Sequence, residues 1–357
     1  MLNEKVISFP NIGDYHVPIT YFLTHITKYK VMPPLPNTKR TIELGCKYSP
    51  DYVCMPFKYN LGNFIESLER GANILIQAGG GCRYGYYSEI QDRILKDLGY
   101  DFKMYNLMNA SKFSFKHIYK TAKEIDKKIR LHKLIYYGLI TVLMVIFMDL
   151  IDEDIRKNIG FEIEKGSFKK VKENMLKDFS NTKGFIDLTR NFIKYKRKIK
   201  NIPVDKDENR IKIGIIGELY TAMDPFSTYY LEEELANMNI EIKRFTNATY
   251  LLLLKKFLRK RNLRHIKNYC KYPIGADGMD NIYRVKWLSD NNFDGIIHTK
   301  PSFCTPEIGA IPIIDKIAKD NDLPIIYFSF DEKYASEAMK TRLEAFYDLI
   351  KNKKEGK

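Results

Sequence analysis

The chain has 357 residues, 45% of them hydrophobic and 29% charged, which excludes a disordered or fibrous polypeptide and allows two domains, each with its own core. A net charge of +15 implies an anionic partner or a generally basic host proteome. Five scattered cysteines form an odd set, and the opening Met1-Leu2-Asn3-Glu4-Lys5 lacks the basic start and apolar core of a secretory leader. Together they indicate a cytoplasmic, reducing setting rather than a disulfide framework, and leave buried thiols, metal ligands or redox chemistry.

In chain order, Val6 to Phe9 reads as a strand, His16 to Ile26 as a helix and Tyr29 to Met32 as a second strand. Thr41 to Gly45 follows, then a loop carrying Cys46 and Cys54, then a helix from Asn60 to Arg70. The apolar run Ala72 to Ala78 reads as a buried strand and leads into Gly79-Gly80-Gly81-Cys82-Arg83-Tyr84-Gly85-Tyr86-Tyr87. Consecutive glycines permit positive φ and close approach of another group, and Arg83 beside the thiol favours the thiolate. A helix over Ser88 to Leu98 and a strand over Phe102 to Tyr105 close this part. Short strands alternating with helices imply a parallel sheet, whose strand ends are where ligands collect.

From Lys112 to Lys200 the pattern turns helical. The 15-residue apolar stretch Leu134 to Met148 is too short to cross a bilayer, is closed by Asp149, Asp152, Glu153 and Asp154, and reads as a buried core helix. The basic run Lys194-Tyr195-Lys196-Arg197-Lys198-Ile199-Lys200 reads as a solvated helix end, so neither a membrane nor a nucleic acid is an expected partner. After a polar linker over Pro203 to Arg210, a second α/β pattern begins at Ile211 to Gly217. It continues with a helix over Ser227 to Asn237, strands over Ile240 to Phe245, Gly295 to His298 and Pro324 to Phe328, and a final helix from Ser336 to Lys351. Leu343, Phe346, Tyr347 and Ile350 share one face of that helix. The expected organisation is α/β, with two parallel-sheet halves at 1–111 and 203–357 and a helical insertion at 112–202.

Cys82 and Cys304, the latter in Phe303-Cys304-Thr305-Pro306-Glu307, each follow a strand and so occupy equivalent places in the two halves. Cys54 precedes a helix. Three loop thiols could hold an iron–sulfur cluster, while zinc sites usually show close CxxC pairs, absent here. Spacing alone leaves unligated thiols the simpler reading. Glu307 is either an acid or a helix N-terminal carboxylate, and Arg342 is expected to pair with Asp331 or Glu332 rather than bind a substrate.

Several blocks resemble the 2-hydroxyacyl-CoA dehydratase superfamily, specifically its branch related to acyl-CoA dehydratase activases. They are Leu44-Gly45 through Cys54-Met55-Pro56-Phe57-Lys58 to Leu61-Gly62-Asn63-Phe64; Gly71-Ala72 through Cys82 to Tyr87; Gly217-Glu218-Leu219-Tyr220 with Asp224-Pro225-Phe226; Asp294 to Ile297; Phe303 to Glu307; and Asp331-Glu332 with Thr341 to Phe346. The resemblance implies two Rossmann-like halves and a 4Fe–4S cluster held by Cys54, Cys82 and Cys304, with Cys46 a fourth ligand or a bystander and Cys270 structural. It also implies an ATP-dependent activase with its own iron–sulfur cluster as electron-donating partner. Arg83 and Glu307 are then the candidate catalytic side chains. Low-potential electron transfer or reduction is the favoured expectation. Direct dehydration of a 2-hydroxyacyl-CoA and a non-catalytic interaction module are the alternatives, with an acyl-CoA substrate and a homodimer both open. One departure stands out: where the family shows Gly-Gly-His-Gly, this chain reads Gly275-Ala276-Asp277-Gly278, so any role of that histidine does not carry over.

Overall fold

The computed structural model describes residues 4–80, 82–107, 114–332 and 336–356. Gly81, residues 1–3 and the expected boundary at 111/112 lie outside the described residues. The chain forms two compact units: Met1–Val145 with Leu176–Leu188, and Ile146–Met175 with Thr189–Lys357.

The first unit is built on strands β1 (Val6–Ser8), β2 (Lys30–Val31), β3 (Ile74–Gln77) and β4 (Lys103–Asn106), all parallel in the order β2-β1-β3-β4. Strands covered on both faces need apolar residues in succession, and β1 and β3 are buried throughout. One face receives α3 (Met55–Glu69) and α4 (Tyr87–Asp97), with Phe57, Leu61, Phe64 and Leu95 packed against Leu75. On the other, α1 (His16–Ile26), α5 (Phe115–Ile125) and the start of α6 (Leu131–Asn158) bring Leu23, Ile26, Ile125 and Leu134 to Ile7 and Ile76.

Cys46 does not sit on a loop. Helix α2 (Lys39–Tyr48) includes it, started by Thr38, whose hydroxyl accepts from the Thr41 N–H in a capping box. Glycine sets the approach of α2 to α3: a Cβ on Gly45 would lie 2.0 Å from the Lys58 carbonyl oxygen, and one on Gly62 2.0 Å from that of Thr41. Helix α3 also starts earlier than its periodicity indicates, because Cys54 caps it and Pro56 sits in its first turn.

Helices α6, α7 (Ser167–Ser180) and α8 (Phe185–Lys200) are each shared between the units. Helix α6 runs for 28 residues, well past the acidic residues expected to end it. Those carboxylates are matched within the second unit: Asp152 by Arg156 and Lys172, Glu153 by Lys157 and Lys243, and Asp154 by Lys196. Burial pushes the Asp152 and Glu153 carboxyls up, yet their cationic partners prevail and hold both low, Glu153 at about 2. Among the described residues α6 is the one helix apolar and long enough to cross a membrane, and 39% of its most apolar window is buried. Ile140, Met144 and Met148 are fully covered, whereas Leu131, Ile135, Tyr136 and Leu139 are exposed.

The second unit repeats the first sheet's order. Strands β5 (Lys212–Gly217), β6 (Glu241–Arg244), β7 (Gly295–Pro301) and β8 (Ile325–Phe330) run parallel as β6-β5-β7-β8. Helices α10 (Leu231–Asn237) and α14 (Ser336–Lys354) cover one face, α14 through Met339, Leu343, Phe346 and Ile350. Helices α11 (Lys255–His265), α12 (Gly278–Asp290) and α13 (Thr305–Asp320) lie on the other. The helix expected over Ser227 to Asn237 is interrupted because Tyr229 and Tyr230 both adopt left-handed φ, near 50° and 59°. A short α9 (Leu219–Met223) precedes it.

Candidate functional site

In the first unit, β1 and β3 flank the point where strand order reverses, and the chain leaves β3 through the glycine run. Gly79 adopts φ +77°, the left-handed conformation that a glycine permits. Cys82 then precedes a 3₁₀ turn, Arg83–Tyr86, its Sγ accepting weakly from the Tyr84 N–H at 3.5 Å. Cys54 is the residue before α3 and makes no side-chain capping bond there.

Cys54 lies against Tyr87, which is also within electrostatic reach of Cys82. The Tyr87 hydroxyl is in close contact with Cys54 Sγ, and its ring lies edge-on to Phe57 at 4.9 Å and beside Tyr84 at 4.4 Å. Burial first, and then the charges of Cys54, Tyr84 and Cys82, push the phenol well above its usual pKa. Tyr87 therefore stays protonated near neutrality and can donate to a thiolate. Arg83 is exposed on its turn, and Cys46 is half-buried on α2.

In the second unit, the corresponding reversal lies between β5 and β7. Cys304 caps α13 with no side-chain capping bond and Pro306 in the first turn, in the same relation to its central strand as Cys82. Glu307 lies in that first turn but is fully buried. His298 Nε2–H and Asn281 Nδ2–H donate to the same Glu307 oxygen, each at 2.8 Å. Asn281 also bonds the Gly217 backbone through both ends of its amide, and Arg284 Nη1 donates to its Oδ1 at 2.8 Å. Glu307 Oε1 and His298 Nδ1 are buried without a hydrogen-bond partner among the described residues. The N-terminal carboxylate reading of Glu307 is thus incomplete, since the side chain is tied into the strand layer.

The first unit carries an uncharged version of the same clamp. The fourth residue of β3, Gln77, donates to Gln91 on the following helix at 3.1 Å, and Gln91 donates to the Phe57 carbonyl on the preceding one. His298 is the fourth residue of β7, Glu307 is on the following helix and Asn281 on the preceding one.

Glu218, unassigned from the sequence, follows β5 and caps α9. A Cβ on Gly217, at φ +144°, would lie 1.9 Å from the Thr299 carbonyl oxygen, so only glycine lets β5 and β7 close here. Glu218 then accepts from the Tyr220 and Thr221 N–H groups and the Thr221 hydroxyl. Burial outweighs these bonds and raises its carboxyl to about 7. Lys300, buried at the end of β7, has its ammonium pKa lowered by burial against the upward pull of Cys304 and Glu307. Asp277, in Gly275-Ala276-Asp277-Gly278, is ion-paired with Lys255 at 2.6 Å. Among the described residues no ion pair joins Arg342 to Asp331 or Glu332. Arg342 donates to the Tyr327 carbonyl at 2.8 Å and lies over the Phe328 ring, because its position on α14 faces β8.

His298 could have been found in the sequence as a polar residue inside the apolar run Gly295 to Thr299, and Glu218 as a carboxylate following a strand. Among the described residues no group of three or more His, Cys, Asp and Glu side chains surrounds one point. The thiols nonetheless suit a thiolate-ligated group: Cys54 and Cys304 occupy helix N-termini, where backbone N–H groups favour the anion, and their sulfurs are not used as caps. Residues 174–350, just under half of the chain, match the family model described as 2-hydroxyglutaryl-CoA dehydratase, D-component. The match supports a 2-hydroxyacyl-CoA dehydratase-type protein and includes Cys304 but neither Cys54 nor Cys82. No curated protein matches the chain.

Proposed function

We propose that the chain is a cytoplasmic iron–sulfur redox protein of the activase-related branch of these dehydratase-type proteins. Cys54, Cys82 and Cys304 would hold a 4Fe–4S cluster, with Cys46 the remaining candidate ligand. When bound, such a cluster supplies one-electron chemistry at low potential. An ATP-driven activase would deliver the electron. The observation that carries this reading is the placement of Cys82 and Cys304 on the segments that follow β3 and β7, with Cys54 at the start of the helix before β3. The protein's own groups would set the surroundings: Tyr87 donates toward Cys54, and Lys300 brings a buried positive charge near Cys304.

A second reading, direct action on a 2-hydroxyacyl-CoA, is favoured by Glu218. A carboxyl raised to about 7 beside a strand end can give up or take a proton at physiological pH. The two readings separate anaerobically. Protein supplied with an activase, ATP and reductant is followed for cluster reduction and for loss of 2-hydroxyacyl-CoA. Reduction without turnover across several thioesters supports electron transfer, and steady turnover of any one of them supports the dehydratase. Purified protein that stays free of iron after reconstitution refutes both and leaves a non-catalytic interaction module.

A further inference from the structure

The segment from Lys255 to Ala276 has no Asp or Glu and eight cations: Lys255, Lys256, Arg259, Lys260, Arg261, Arg264, Lys267 and Lys271. It contributes more than half of the chain's +15. Lys255 is engaged with Asp277, but Lys256, Arg259, Lys260, Arg261, Arg264 and Lys267 are exposed and have no carboxylate partner among the described residues. Phe257 stands 80% exposed in their midst. Lys260, Arg261 and Arg264 follow it at i+3, i+4 and i+7, so aromatic and cations share one outward face of α11. Exposed Leu252 and Leu254 extend the apolar part into the π-helical turn Tyr250–Leu254. Unbalanced cations around an unburied aromatic destabilise an isolated surface, and such a combination is what protein interfaces enrich.

We infer that α11 is the docking surface for an acidic protein, an iron–sulfur electron carrier of the ferredoxin kind that accepts the electron delivered to this chain by the activase. The identity of the carrier rests on the redox reading above, and the acidic character rests on charge complementarity alone. A second copy of this chain would bring like charges together. A lipid surface requires apolar and charged faces to be segregated, whereas here Phe257 is bracketed by cations. A nucleic-acid interface is largely polar, whereas this one exposes two leucines and a phenylalanine. Redox encounters are small and steered by charge, which suits a single helix.

The surface also adjoins Cys304. Lys255 Nζ, at the start of α11, donates to the Ala276 carbonyl at 2.9 Å. Two residues later, a Cβ on Gly278 would lie 2.7 Å from the carbonyl oxygen of Pro306, two residues beyond Cys304. Both helix starts thus pack on the first turn of α12, and a carrier seated on α11 sits beside the N-terminus of α13.

The test is anaerobic calorimetry of the full chain with a purified acidic two-cluster ferredoxin at about 50 mM salt. The Lys260→Glu/Arg264→Glu variant should weaken binding at least about 10-fold and flatten its salt dependence. Phe257→Ala should weaken it several-fold with the salt dependence kept. Lys169→Glu/Lys170→Glu, exposed on α7, should change it less than about 2-fold, and unchanged Trp287 fluorescence establishes that each variant folds. No binding up to about 100 μM overturns the inference. So does equal weakening by the α7 control, or tighter α11-dependent binding to a 20-base-pair duplex or to phosphatidylserine vesicles. Iron content is measured on the same samples: iron-free protein that binds refutes the redox reading alone, and iron-loaded protein that does not bind refutes the docking surface alone.

Discussion

Glu218 links the sheet to the chemistry, and its titration can be read without knowing a substrate. Its carboxyl moves from an ordinary 4.5 to about 7 in the folded chain because burial penalises the anion more than three hydrogen bonds favour it. A pKa raised on folding stabilises the protein fully below the unfolded value, and that stability is lost as pH rises through the folded value, here across about 4.5 to 7. At roughly 1.36 kcal/mol per pKa unit, and allowing for the side chain's partial exposure, wild type should lose about 2 kcal/mol between about pH 5 and pH 8 that Glu218→Gln does not lose. The amide also forfeits part of the capping interaction at α9, worth about 1 kcal/mol at every pH. The informative quantity is therefore the slope, not the offset. Urea unfolding followed by Trp287 isolates the second unit, since this is the chain's one tryptophan and it packs on Phe245 and Phe293. Parallel pH profiles for wild type and variant would refute the raised carboxyl and remove Glu218 as a proton carrier.

Gly45→Ala should destabilise the first unit by about 3 kcal/mol or more, because its Cβ would meet a backbone carbonyl that cannot rotate away; thermal unfolding by circular dichroism measures it. Tyr87→Phe removes the donor at Cys54 and should slow iodoacetamide labelling of that thiol near neutral pH by roughly 3- to 10-fold, read by mass spectrometry. Alanine at Cys54, Cys82 or Cys304 should each remove most of the iron, whereas Cys270→Ala should retain it, its thiol being buried and bonded to the Tyr272 carbonyl. Cys46→Ala with unchanged iron and a new EPR signal would mark Cys46 as the fourth ligand.

The two sheets were legible because their strands are short apolar runs separated by helical periodicity, and β1, β3, β5, β7 and β8 fall where those runs lie. Helix α11 was not, for a definite reason: Asn262 is its one buried residue, so it carries no apolar stripe for periodicity to detect. The extent of α6 was hidden by reading Asp149 to Asp154 as a terminus. Carboxylates end helices only when nothing balances them, and the balancing cations come from Lys172, Lys196 and Lys243, distant in sequence. The thiols were conspicuous as residue types. The groups around them were not, since Tyr87, Lys300 and Asn281 acquire meaning only from their neighbours.

Asp277 can be understood from its place in the fold. It immediately precedes α12, the helix leading into the central strand β7, and Cys54 holds the same place before α3 and β3. Each unit thus directs one side chain from this position toward its strand ends, a thiol in one and a carboxylate in the other. A buried carboxylate needs a cation, and Lys255 supplies it, its own ammonium kept charged by Asp277 and Asp280 against the cost of burial. A neutral histidine here could not form that charge pair, so the aspartate and the lysine act together. The pair fixes the start of α11 to the first turn of α12.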